Sequence, residues 1–123
     1  IYGKSSERRL KNVGEVFTGG LNKIKQLKVY NYTFKEDENK TPRVGVMAQD
    51  LQKVFPDAVT KGENGFLRIR WEDMFYALIN AVKELDLRVT SENRDLKKRV
   101  TELEKQNKRL EERLSKLESK VFN

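Results

Sequence analysis

Apolar positions change their spacing near residue 80. Before it they come in short, mixed runs. In Lys28-Val29-Tyr30-Asn31-Tyr32-Thr33-Phe34 the large residues Tyr30, Tyr32 and Phe34 fall on one side, and this period of two predicts a half-buried strand. Lys35 to Pro42 makes a charged turn. Arg43-Val44-Gly45-Val46-Met47-Ala48 predicts a second short strand, and Gln49-Asp50-Leu51-Gln52-Lys53-Val54-Phe55 a short helix that Pro56 helps to stop. Glu63-Asn64-Gly65 carries an Asn-Gly turn signal between Ala58-Val59-Thr60 and Phe66-Leu67-Arg68-Ile69-Arg70, which predicts a hairpin. Gly19-Gly20 precedes Leu21, Ile24 and Leu27, spaced for one short amphipathic helix.

From Trp71 onward the pattern is helical. Leu78, Val82, Leu85 and Val89 step by four, three and four. Asn93, Leu96, Val100, Leu103, Asn107, Leu110, Leu114, Leu117 and Val121 then alternate steps of three and four, with charged residues between them. This is a heptad seam, and the second consecutive step of four, from Val89 to Asn93, is a stutter that locally unwinds a supercoil. At about 1.5 Å per residue, Val82 to Val121 makes a rod of about 60 Å. So narrow a stripe implies partner helices. With Val100 and Leu114 at a and Leu103 and Leu117 at d, Arg99 and Arg113 fall at g and Glu104 and Glu118 at e. Both repeats resemble the Arg-apolar-x-x-apolar-Glu signature of short parallel trimeric coils, in which the Arg stem covers the seam and its head meets a neighbour's Glu. Asn93 and Asn107 at a fix register, and since a-position Asn is also common in dimers, a dimer is the alternative. Trp71, Phe75 and Tyr76 are expected to be core or subunit-interface anchors.

The 123 residues include no Cys and no His, which removes disulfides, thiolate nucleophiles, the usual general base and the commonest metal ligands. No metal or cofactor is expected, and any catalysis has to run on Ser, Lys, Asp, Glu, Tyr or Arg. No stretch reaches the roughly 20 apolar residues of a membrane span, so none is expected to insert into a bilayer. The net charge of +7 invites a nucleic-acid reading. The excess is spread as +4 over residues 1–50, 0 over 51–90 and +3 over 91–123, with acids interleaved throughout the last part. That pattern suits solvated faces better than a polyanion site. A basic-zipper-like DNA binder is further disfavoured because Arg94, Lys97, Lys98 and Arg99 are interrupted by Asp95, follow Glu92, and lie within the seam instead of ahead of it.

Ser and Lys are the remaining pair to inspect, because a Lys amine can serve as general base for a hydroxyl. Ser6 stands five residues before Lys11 in Lys4-Ser5-Ser6-Glu7-Arg8-Arg9-Leu10-Lys11. Spacing alone leaves open that these are surface residues of a basic loop. Ser6-Glu7-Arg8-Arg9-Leu10-Lys11, however, resembles the Ser-Asp-x-Arg-Leu-Lys motif that opens the endosialidase-type intramolecular chaperones, the self-cleaving C-terminal domains of phage tailspikes, tail fibres and neck appendages. Further landmarks are similar and in the same order: Tyr30 to Phe34; Val44-Gly45-Val46-Met47-Ala48-Gln49-Asp50-Leu51 with Val54-Phe55-Pro56; and Trp71 to Leu85 leading into a terminal coil. A related module occurs in a eukaryotic membrane-bound transcription factor family, but the compact loops here look more like the phage members.

The resemblance implies an α+β fold, with a small mixed globular part over residues 6–80 and a C-terminal helix over 81–123 forming a parallel trimeric coiled coil. Residues 1–5 would end an upstream fibre segment. It implies Ser6 as nucleophile, Lys11 as base, and cleavage between Ser5 and Ser6; Ser5 is a rival nucleophile only in a shifted register. Arg8 and Arg9 would favour a neutral Lys11 amine by like-charge repulsion, although Arg9 could equally pair with an acid. Glu7 replaces the motif's Asp, lengthening the arm of any orienting hydrogen bond. Gln49 and Asp50 could support the cleavage segment, but capping of the short helix is the preferred reading. The implied function is to trimerise and register an upstream, β-rich fibre of the same precursor in the host bacterial cytoplasm during virion assembly, and then to be released by self-cleavage. The alternative is a trimerisation module in which Ser6 and Lys11 are inert.

Overall fold

The computed structural model describes residues 3–122. Ile1 and Tyr2 of the expected leader and Asn123 of the expected coil segment lie outside the described residues. The chain divides into two compact units, one up to Ala81 and one from Val82. Its elements are a 3-10 turn Arg8–Leu10, α1 Leu21–Ile24, β1 Tyr30–Tyr32, β2 Arg43–Gly45, α2 Ala48–Val54, a 3-10 turn Pro56–Ala58, β3 Val59–Lys61, β4 Leu67–Ile69, and α3 Glu72–Phe122. The fold is α+β, with two separate two-stranded antiparallel sheets.

The core of the first unit gathers around α2. Apolar residues at Leu51, Val54 and Phe55 share one face of this helix, and they are buried together with Ala58 and Ala77. Ile24, Leu27, Val46, Val59 and Met74 pack against them. Ala77 comes from α3, and its small side chain lets that helix close on the α2 layer. Pro56 ends α2 as expected, and the final turn is tied by the Phe55 amide donating to the Leu51 carbonyl at 2.7 Å. Lys23 supports the same end: its Nζ donates to the Val54 carbonyl at 3.3 Å and lies 5.1 Å from the centre of the Phe55 ring.

The hairpin forms where the Asn-Gly signal predicts it. Val59 pairs with Ile69 and Lys61 with Leu67, and the Gly62 amide donates to the Phe66 carbonyl at 2.8 Å. A turn closes through the Gly65 amide and the Gly62 carbonyl, followed by Gly65 at φ 82°. This is the three-residue loop in which the last position is left-handed, a conformation that costs a side-chain-bearing residue about 1–2 kcal/mol.

The first strand is shorter and more open than its alternation predicts. β1 holds only Tyr30 to Tyr32, paired antiparallel with Arg43 to Gly45, and Tyr30 and Phe34 are exposed. Of the three alternating aromatics only Tyr32 is half-buried, so the period of two does not mark a strand with one covered face. Phe34 leaves the strand at a turn in which its carbonyl accepts the Asp37 amide, and its ring stands edge-on to Tyr32 at 5.4 Å. The charged turn is built on Asp37, whose carboxylate accepts the amides of Asn39 and Thr41 at 3.1 and 2.9 Å and so supports Lys40 at φ 50°.

α3 begins one residue after the predicted start, with Glu72 and Asp73 in its positively polarised first turn. Of the two expected roles for Trp71, Phe75 and Tyr76, core and subunit interface, exposures of 58%, 44% and 55% exclude the first, and Phe75 meets both Trp71 and Tyr76 edge to face. In the second unit every apolar seam residue from Val82 to Val121 is exposed, from 43% at Leu85 to 74% at Val121. No helix among the described residues is long and apolar enough to cross a membrane.

Candidate cleavage site

The segment from Lys4 to Thr18 carries the Ser/Lys pair, and a local device brings the two together. Glu7 adopts an extended backbone conformation and its carboxylate accepts the Arg9 amide, which starts a 3-10 turn over Arg8 to Leu10. The Leu10 amide donates to the Glu7 carbonyl and the Lys11 amide to the Arg8 carbonyl, both at 3.0 Å. After this turn Lys11 is again extended, so its side chain is free to reach back across the turn. Its Nζ donates to Ser6 Oγ at 2.6 Å. That distance allows proton transfer between amine and hydroxyl with no intervening water.

Glu7 has a second role. The other carboxylate oxygen accepts Arg9 Nε at 2.6 Å, so the Arg9 guanidinium is paired with an acid and not directed at the lysine. Of the two arginines expected to repel a charged Lys11, Arg8 is left. The Glu7 carboxylate thus holds the backbone and the side chain of the same residue, Arg9.

Gln49 and Asp50 lie in the first turn of α2, not at its cap. The capping position is Met47, which offers no side-chain acceptor, and Asp50 contributes a charge favourable to the helix N-terminus. Among the described residues, neither Gln49 nor Asp50 is hydrogen-bonded to residues 4–11. Their capping role is therefore replaced by a helical one, for the reason that the helix starts one residue earlier, at Ala48.

The whole segment from Gly3 to Thr18 is exposed, including Leu10 at 74%, Val13 at 58% and Val16 at 88%. The segment is anchored where it joins the globular unit: Asn80 Nδ2 donates to the carbonyls of Phe17 at 3.0 Å and Gly19 at 2.8 Å. Periodicity gives no sign of this contact, since its partners are more than 60 residues apart and one side is backbone. Among the described residues no cluster of acidic side chains could hold a metal ion.

Comparison with known proteins converges on the same segment. Residues 6–60 match the protein family described as chaperone of endosialidase. The chain is also 35% identical, over 92 residues, to the long tail fiber protein Gp37 of Enterobacteria phage M1 and to that of Enterobacteria phage Ox2. These alignments cover 69% of this chain and 37% of each relative, so the chain spans little more than a third of the fibre proteins it matches. The family match begins at Ser6 and takes in Lys11, both sheet strands of the first ribbon, and α2. Over residues 6–60, then, this chain is similar to the chaperone-of-endosialidase family, with Ser6 and Lys11 inside the matched stretch.

Proposed function

We propose that the chain is an intramolecular chaperone of a phage tail fibre, which trimerises through α3, registers the upstream part of its own precursor, and is then released by cutting itself at Ser5-Ser6. The observation that carries the reading is the 2.6 Å contact between Lys11 Nζ and Ser6 Oγ, formed across the turn inside the family segment. Ser6 Oγ attacks the Ser5 carbonyl carbon while Lys11 takes the hydroxyl proton. The tetrahedral adduct collapses as Lys11 returns that proton to the departing Ser6 nitrogen, leaving an ester between the Ser5 acyl group and Ser6 Oγ. Water then hydrolyses the ester, giving a Ser5 carboxylate and a new N-terminal Ser6 with its hydroxyl restored.

Assembly completes the site. The dyad lies open in a single chain, and the accepting form of the amine is the uncharged one. A neighbouring chain laid over Leu10, Val13 and Val16 removes water and favours that form. The exposed seam supports association, and Arg99 and Arg113 make no ion pair within the chain among the described residues, which leaves them for the Glu104 and Glu118 of neighbours. Cleavage that waits for assembly would lock the registered fibre kinetically, since its helper is gone and unfolding cannot be retraced. Assembly belongs to the host bacterial cytoplasm on this reading, with the helper lost from the finished fibre.

Intact mass and sedimentation equilibrium on a precursor extended upstream test both parts. The expected result is a trimer that loses everything before Ser6 in the wild type and stays whole in Ser6→Ala and Lys11→Ala. A whole wild-type trimer would leave an inert trimerisation module, and a monomer or dimer would remove the assembly argument.

A further inference from the structure

We infer that Asn80 is a positioning residue for the cleavage segment, an anchor by which α3 holds the root of the arm that carries Ser6 and Lys11. The inference rests on the self-cleavage reading for its functional consequence, while the anchor itself is visible in the geometry. Asn80 lies on α3 beside the buried Ala77 and Ala81, three residues before it and one after. Its amide directs both hydrogens outward from the helix, to the carbonyls of Phe17 and Gly19. Asn is one of the few side chains that can do this, since an amide nitrogen carries two donors and both acceptors here are carbonyls.

The rest of the junction is shaped to the same end. Gly19 and Gly20 are buried, and the Phe17 ring folds back so closely over Gly19 that a Cβ there would collide with it. Phe17 also lines a shallow hollow of about 230 Å³ with Glu72, Asp73 and Tyr76 of the first turns of α3. Backbone of the arm and side chains of the helix are therefore fastened at Phe17 to Gly19, and beyond that point the arm is exposed back to Gly3. Lys11 stands only six positions before Phe17, a reach of at most about 22 Å. Fastening the root confines the dyad to a small region around the first turns of α3. When α3 frays, both carbonyls lose their donor and the arm is released, so positioning of the scissile bond follows formation of the helix that assembles the chains.

The test uses the precursor extended upstream, with Asn80→Ala and Asn80→Asp. Ala is the better helix former, so Asn80→Ala removes the anchor without penalising α3. Cleavage in Asn80→Ala is expected to slow about tenfold, with sedimentation mass and helical circular dichroism equal to the parent. Asn80→Asp places a carboxylate against two carbonyls above its pKa and regains one donor when protonated. The ratio of its cleavage rate to that of Asn80→Ala is therefore expected to be below one at pH 8 and to climb as pH falls towards 5. A residue that matters only for folding gives a flat ratio. A second readout needs no cleavage: the chain has no Cys, so a nitroxide at Val16→Cys in the Ser6→Ala background reports arm motion alone. Its spectrum is expected to sharpen when Asn80→Ala is added. A parent that never cleaves, with a spectrum that still sharpens, would reject the self-cleavage reading and keep the anchor. Unchanged spectra would overturn the anchor, and cleavage by Asn80→Ala at the parental rate would overturn its positioning role.

Discussion

Leu51→Ala probes whether the cluster around α2 is the true core of the first unit. Leu51 is fully buried among Val54, Phe55, Ala58 and Ala77. Truncation removes about three buried carbons, worth about 0.8 kcal/mol each as transferred area. The cavity left behind adds to this, because α2 is held at its C-terminal end by Lys23 and packed against Ala77 and cannot collapse fully, and a total of about 3 kcal/mol follows. That is more than a hundredfold in the unfolding equilibrium. For a unit of this size a urea slope of about 1–1.5 kcal/mol per molar turns it into a midpoint shift of about 2–3 M. Trp71 is the single tryptophan and stands edge-on to Phe75 in the first unit, so its fluorescence reports this transition. Protein concentration has to be held fixed, since association would otherwise move the midpoint by mass action. Leu51→Met, which keeps the volume, is expected to shift it by less than half as much. A shift below about 0.5 M in Leu51→Ala would refute the assignment of the core.

Three further outcomes follow from the same geometry. Glu7→Ala removes the cap of the Arg8 to Leu10 turn and frees the Arg9 guanidinium, so the Lys11 to Ser6 contact is loosened and cleavage, timed by intact mass, is expected to slow several-fold with the trimer intact. The Asp37 carboxyl is held below its ordinary 3.8, first by the backbone amide of Thr41, then by the Thr41 side chain, with the Asn39 amide and Arg43 adding to it. A lowered folded-state value means that the contribution is present above the unfolded value and is lost as pH falls through the folded one. A carboxyl titration followed by nuclear magnetic resonance should therefore place Asp37 below 3.8, and Asp37→Asn should flatten the acid limb of stability below about pH 4. If α3 assembles as proposed, Asn107→Val exchanges a polar a position for an apolar one, and is expected to raise the thermal midpoint while broadening the distribution of masses in sedimentation, because a polar group that would fix register is removed.

Local rules made much of this molecule legible. The helical pattern from Trp71 placed the start of α3 within one residue, because a helix depends on neighbours three and four positions away, while the heptad seam itself begins only at Leu78, inside the helix. Pro56 stopping α2 and Gly65 turning the hairpin are likewise single-residue effects of backbone sterics. The pairing of Ser6 with Lys11 was readable as a spacing and as a motif, but the device that closes it, Glu7 starting a 3-10 turn, was not. It depends on which of two oxygens meets an amide and which a guanidinium. What only the tertiary structure decided is where nonlocal surfaces meet: that Ala77 joins Leu51 in the core, that Tyr30 and Phe34 stay exposed while Tyr32 is half-buried, and that Asn80 grips backbone more than 60 residues away. Those contacts are made by packing and by donors meeting carbonyls after the chain has come together, and no period in the sequence records them.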